Sequence, residues 1–177
     1  SSMAKTVFDK ILDTTTGPKS YDWYRKKVRA MTTPGARGLI NQGKATLRPK
    51  YGIMNLFGYD PKHKFTLPYY DKFPLVYLIK DFGNEFYGAN LHYLRPKARV
   101  KVIQKLERGF IDLPKIIIHK YIKTHCKSPF LDLAIDEWET SIFLPVEDFV
   151  ITKGSGNIAY DKESVWDEIS KKDQDRI

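Results

Sequence analysis

The stretch Leu47–Leu94 leaves this chain the fewest choices. It reads LRPKYGIMNLFGYDPKHKFTLPYYDKFPLVYLIKDFGNEFYGANLHYL, with aromatics, prolines, glycines and lysines where a small twisted sheet needs them. Three short apolar runs have strand length: Tyr51–Phe57, Phe73–Ile79 and Phe86–Leu91. Between the first two lies Tyr59-Asp60-Pro61-Lys62-His63-Lys64, a turn and basic loop. The last two are joined by Asp81-Phe82-Gly83-Asn84-Glu85, a hairpin with Gly and Asn where a positive φ is required. The expectation is an α+β protein whose centre is a small SH3-like antiparallel β-barrel or curled sheet, flanked by helices.

Helical signals surround this block. An amphipathic segment, Thr6–Leu12, comes first, and Ser20 can cap a helix through about Met31 with Asp22 near its positive end. Residues Gly35–Lys50 carry Arg37, Lys44, Arg48 and Lys50 and no acid, which reads as a basic arm. After the strands, Arg95-Pro96 opens a helix with Ala98, Val102, Ile103 and Leu106 as its apolar stripe. Lys97, Lys101, Lys105 and Arg108 form one basic ridge on it, and Gly109 closes it. A second helix is expected from Asp112 and Pro114, with Ile117, Ile118, Tyr121 and Ile122 turned inward. Lys115, His119, Lys123 and Lys127 recur every four residues there, a second ridge with Lys120 alongside.

Beyond Ser128-Pro129 the chain turns acidic. Ile135, Trp138 and Ile142 suggest a helix around Asp136–Phe143, followed by an extended piece, Phe149–Thr152. Gly154-Ser155-Gly156-Asn157 reads as a flexible joint, and Asp161 as the cap of a last helix that docks through Val165, Trp166 and Ile169. The organisation expected is 1–50 (helices and arm), 51–127 (sheet with two basic helices) and 128–177 (acidic helical segment), packed as one unit.

Charge narrows the partners. Residues 1–130 hold 25 Lys/Arg against 9 Asp/Glu, whereas residues 131–177 hold 5 against 12. That asymmetry suggests a polyanion-binding body with an acidic C-terminal part, against the plainer reading of a basic protein whose tail tempers self-repulsion. No apolar run approaches the roughly 18 residues that span a bilayer, and the N-terminus lacks a signal peptide's apolar centre, so no membrane partner is expected. Ser1-Ser2 before Met3 reads as a cloning remnant. A single cysteine, Cys126, excludes an internal disulfide framework and suits a reducing compartment.

Catalytic chemistry finds little to work with. His119, His125 and Cys126 lack a second Cys/His pair to complete a metal site, and no cofactor motif is present. A metal-dependent nuclease needs clustered carboxylates, but most lie in the acidic tail, and turn formation alone accounts for Asp60 and Asp81. Nucleic-acid binding uses what is there. Lys62, His63 and Lys64 stand beside Phe65, and Tyr69-Tyr70 precede Lys72, so cations and aromatics interleave. Packing on the sheet is the alternative for Tyr69 and Tyr70. The candidate DNA-contacting set is therefore the Lys62–Lys64 loop, Arg95 with the two ridges, and the four cations of the arm.

Tyr59-Asp60-Pro61-Lys62, Leu67-Pro68-Tyr69-Tyr70-Asp71, Phe73-Pro74-Leu75 and Gly88-Ala89-Asn90-Leu91-His92-Tyr93-Leu94 resemble the pattern of the DNA end protector proteins of T4-like tailed phages. Asp136-Glu137-Trp138-Glu139, Phe143-Leu144-Pro145 and Ser164-Val165-Trp166 are also similar, so the resemblance covers most of residues 50–170 and is weakest over the N-terminal helices and arm. It implies a non-enzymatic virion component that binds the ends of linear double-stranded DNA and shields them from host exonuclease, in the virion and in the host cytoplasm. Two alternatives stand beside it: a head or neck completion protein contacting packaged DNA or the portal, and a head-completion nuclease. For Gly88, Asn90, Leu91, His92 and Tyr93 a fold role outweighs ligand contact.

Overall fold

The computed structural model describes residues 45–46, 48–133, 135, 138 and 146–174. The expected segments Thr6–Leu12 and Ser20–Met31, the arm residues Arg37 and Lys44, and most of the helix expected around Asp136–Phe143 lie outside the described residues.

The hairpin is where sequence and backbone meet first. Strands β4 (Leu75–Asp81) and β5 (Glu85–Asn90) pair antiparallel, and Gly83 at φ +81° makes the turn between them. Asn84 is not left-handed, so glycine alone supplies the positive φ. Strand β4 is buried on both faces, which is why its apolar run is continuous rather than alternating. Gly88 lies under it. A Cβ there would fall 2.2 Å from Val76 Cγ1 and 3.2 Å from the Tyr77 carbonyl oxygen, so only glycine fits.

Around that hairpin stand β1 (Ala45–Thr46), β2 (Met54–Leu56), β6 (Ile118–Ile122) and β7 (Phe130–Leu133), in the order β1-β7-β2-β4-β5-β6. All pairings are antiparallel. The sheet does not close on itself among the described residues, so the SH3-like barrel gives way to the open alternative. It curls strongly nonetheless. Phe57, just past β2, has its ring centroid 5.5 Å from Tyr121 on β6 and 4.9 Å from Phe130 on β7. In a flat sheet β2 and β6 would stand about 14 Å apart, three strand spacings. The curl encloses Phe57, Tyr59, Val76, Leu78, Phe86, Tyr121 and Phe130 as one core.

The other face carries the larger core, from Met54, Leu56, Leu75, Tyr77 and Leu91 to the helices. Helix α1 (Pro96–Glu107) buries Val102, Ile103 and Leu106, as its stripe predicts. It ends in a Schellman motif: the Gly109 N–H donates to the Leu106 carbonyl at 3.0 Å and the Phe110 N–H to the Lys105 carbonyl at 2.9 Å, with Gly109 at φ +82°. Helix α2 (Lys162–Gln174) is capped by Asp161 and docks through Val165, Trp166 and Ile169, also as expected. Trp138 is buried, but Ile135 is 60% exposed and does not share its face.

Two expectations fail. No second basic helix forms: Lys115–Ile117 is a single 3-10 turn, Ile118–Ile122 is strand β6, and Lys123–His125 is another 3-10 turn. A four-residue recurrence is compatible with period 2 as well as period 3.6, and the β-branched run Ile116-Ile117-Ile118 tips the choice to strand. The flexible joint is instead a tight turn, Gly154-Ser155, between β8 (Phe149–Lys153) and β9 (Gly156–Ala159). With β3 (Tyr70–Asp71) these make a second, three-stranded sheet. Among the described residues no helix is long and apolar enough to cross a membrane.

Candidate nucleic-acid interface

The ridge on α1 is real. At 100° per residue Lys97, Lys101, Lys105 and Arg108 fall within about 80° of one another, opposite the buried stripe. All four are exposed. Lys105 meets Asp112 at 2.6 Å, while Lys97, Lys101 and Arg108 make no ion pair with any described residue. The ridge spans about 16 Å, the length of roughly five base pairs. Just past it, Phe110 and Ile111 are 65% and 67% exposed. Arg95, at the start of the helix, is committed elsewhere, paired with Glu163 at 2.6 Å and with Asp167 on α2.

The loop Lys62–Lys64 is held in place. Asp60 salt-bridges Lys64 at 3.1 Å, and the Thr66 and Leu67 N–H groups donate to the His63 carbonyl. Lys62 and His63 are exposed and make no ion pair with a described residue, and Phe65 beside them is 63% exposed. Phe65 is thus the exposed aromatic of this loop, with Lys64 Nζ over its ring at 5.5 Å from the centroid. Tyr70 is buried with its hydroxyl 2.5 Å from Thr152 Oγ1, and Tyr69 stacks on Tyr160 at 4.7 Å.

The supposed second ridge comes apart on strand geometry. His119 points to the inner face opposite Gly88 and packs on Tyr93 at 4.5 Å, so it is no phosphate contact. Lys123 pairs with Asp81 at 2.8 Å and Lys120 with Glu85 at 3.4 Å, leaving Lys115 and Lys127 as exposed cations. Of the arm, Arg48 and Lys50 are described and exposed, with Lys50 3.3 Å from Asp132. Strand pairing instead builds a row that the sequence reading missed. Lys80, Tyr87 and Lys120 stand side by side across β4, β5 and β6, with Phe82 next to Lys80. Its signal was the period of two in β5 and β6, whereas in β4 a register shift between Leu78 and Lys80 breaks that period.

Beneath these surfaces the motif residues form a buried polar network. Asp71 Oδ2 lies 2.7 Å from His92 Nδ1 and accepts from Asn90 Nδ2 at 3.0 Å, while Oδ1 accepts from the N–H groups of Phe73 and Asp148. Burial alone would raise the Asp71 pKa, but His92, Asn90 and the Phe73 N–H outweigh it and the net shift is downward. Arg99, fully buried, donates to the Leu91 and Leu94 carbonyls and to Glu147 at 2.8 Å. Trp166 Nε1 donates to the His92 carbonyl at 2.7 Å, tying α2 to the same hub. Sequence reading passed over Arg99, whose place on the apolar stripe of α1 was the signal.

A cavity of about 430 Å³ opens beside this network, between the basic loop, β6 and α2. Among the described residues, no group of three or more His, Cys, Asp or Glu side chains is arranged to hold a metal. His125 Nδ1 is 2.8 Å from the Asp60 carbonyl, and burial pushes the Cys126 thiol up to about 12.

Compared with known protein families, residues 2–117 match the family described as Phage T4 terminal DNA protecting protein. The chain belongs to that family. The match takes in the N-terminal stretch where the sequence resemblance was weakest and ends just before β6. No match was found among curated proteins or among solved structures. Within the terminal DNA protecting family's matched span lie the Asp71–Asn90–His92 hub, the basic loop and the whole of the α1 ridge.

Proposed function

We propose that this protein is a non-enzymatic phage virion component that binds the ends of linear double-stranded DNA and shields them from exonuclease, in the particle and in the host cytoplasm after injection. The observation that carries the reading is the α1 ridge, four exposed cations in one narrow window inside the span matched to a terminal DNA protecting family. Phosphate contacts of this kind position a duplex and make binding fall steeply with salt. Lys62 and the Lys80–Tyr87–Lys120 row supply further cations, and Tyr87 and His63 ring faces, suited to an exposed terminal pair.

The test is digestion of linear duplex by a processive exonuclease with and without the protein, with closed circular DNA as competitor. Protection that circular DNA does not compete away supports end binding. Equal affinity for both forms replaces it with general duplex binding, as a head or neck protein would show. Cleavage with Mg²⁺ or Mn²⁺ would restore the nuclease reading.

A further inference from the structure

The cavity between the basic loop, β6 and α2 has walls unlike the rest of the surface. Tyr59, Tyr69, Tyr70, Tyr93, Tyr121 and His119 line it, so ring faces and edges meet from several directions. These rings are fixed in place. The Tyr59 hydroxyl accepts from the Ile122 N–H at 2.9 Å, Tyr69 donates to Glu168 at 3.0 Å, and Tyr121 stacks on Phe86 at 5.4 Å. Preformed aromatic walls of this volume suit a flat, small ligand.

His119 forms part of those walls with its ring, while its Nε2 is enclosed and without a hydrogen-bond partner among the described residues. Desolvation pulls the His119 pKa down to about 4, so the ring is neutral at physiological pH and adds an uncharged aromatic surface to the walls.

Both signs of charge border the cavity, with Glu168 paired to Lys172 at 2.7 Å on the α2 side. Asp71, whose pKa is lowered, lines the inner part, where it opposes an anion. Lys62 and His63, both exposed and without an ion pair to a described residue, stand at the mouth, where Lys120 and Lys172 are already paired with Glu85 and Glu168. A neutral planar group inside and a phosphate outside satisfy both halves. Nucleotides have that division.

We infer that this cavity receives the terminal nucleotide of a DNA end, its base against the tyrosine and His119 walls and its phosphate at Lys62 and His63. The inference rests on the end-binding reading and deepens it. Taking a base out of the stack is cheapest where pairing is already weak, which favours an end over the duplex interior. A base held this way is withdrawn from the path of an exonuclease.

The test places a photo-crosslinking iodouracil at the terminal position of a linear duplex, or at an internal one, and maps adducts on the full chain by mass spectrometry. The same preparation is assayed for exonuclease protection. The expected result is an adduct on the peptides bearing Tyr69–Tyr70 or His119–Tyr121 from the terminal probe alone. In the His119→Gln variant, whose thermal unfolding is recorded in parallel, the yield should fall about tenfold, the size of one stacking contact. Protected ends whose adducts lie only elsewhere, or arise equally from the internal probe, would overturn the pocket and leave end binding standing. Absence of both protection and adduct overturns both.

Discussion

The buried hub at Asp71–His92–Arg99 and the exposed ridge on α1 are both built from charged residues, yet they do opposite work. In the hub each charge is out of water and held by several partners, Asp71 by four groups and Arg99 by three carbonyl or carboxylate contacts among others. On the ridge three of four cations stand in solvent without an ion pair to a described residue. The hub joins β3, the Leu91–Tyr93 turn, α1 and α2, so its loss is a loss of fold. The ridge side chains stand in solvent, so their loss should leave the fold intact. Sequence motifs that mark a family can thus lie in the scaffold while the exposed charge is written in spacing alone.

Removing one hub partner should show the largest effect on folding. Asp71→Ala strands His92, Asn90 and two backbone N–H groups in the interior, and should lower unfolding free energy by about 3–5 kcal/mol in denaturant titration. A loss below about 1 kcal/mol would put the hub on a par with surface pairs.

Acid should act on the same interior. The folded pKa of His119 lies near 4, below its ordinary 6.5, so the unfolded chain takes up the proton first. Its contribution is therefore complete above pH 6.5 and is lost as pH falls toward 4, by about 3 kcal/mol in all. Asp71 and Glu147, both shifted downward, extend the loss at still lower pH. His119→Gln should flatten the limb between pH 6.5 and 4 in thermal unfolding followed against pH.

Gly88→Ala sets a methyl against Val76 Cγ1 and should cost about 1–3 kcal/mol. Val76→Ala in the same chain should return part of that, and a strictly additive pair would show that the clash lies elsewhere.

Replacing Lys97, Lys101, Lys105 and Arg108 by Gln should change unfolding by less than about 0.5 kcal/mol. The same variant should reduce the slope of log affinity against log salt by about 3–4. An unchanged slope would remove the ridge from the interface and erase the contrast with the hub.

Much of this fold was legible in the sequence. The β4–β5 hairpin, helix α1 with its Gly109 stop and the docking face of α2 each rest on local signals: a turn glycine, a proline at the helix start, a stripe at period 3.6. Strand β6 was not, because lysines four apart satisfy two periods and only the isoleucine run separates them. The hub escaped for a different reason. Asp71 and His92 meet across 21 positions, and nothing local distinguishes a turn aspartate from a buried one. The ridge was readable because a helix maps spacing onto a face. The cavity was not, since its walls come from four separate segments.

The curl of the sheet also sets a schedule for the chain. Phe57, Phe86, Tyr121 and Phe130 share one aromatic core, so its first and last members are 73 positions apart. β-rich, non-local pairings of this kind close slowly. During synthesis the family-matched span through residue 117 is complete before Tyr121 and Phe130 exist, and its half-built sheet must wait with an apolar face and open strand edges. Truncations placed at the family boundary are therefore expected to aggregate, whereas chains carried through Phe130 have the means to shut the core.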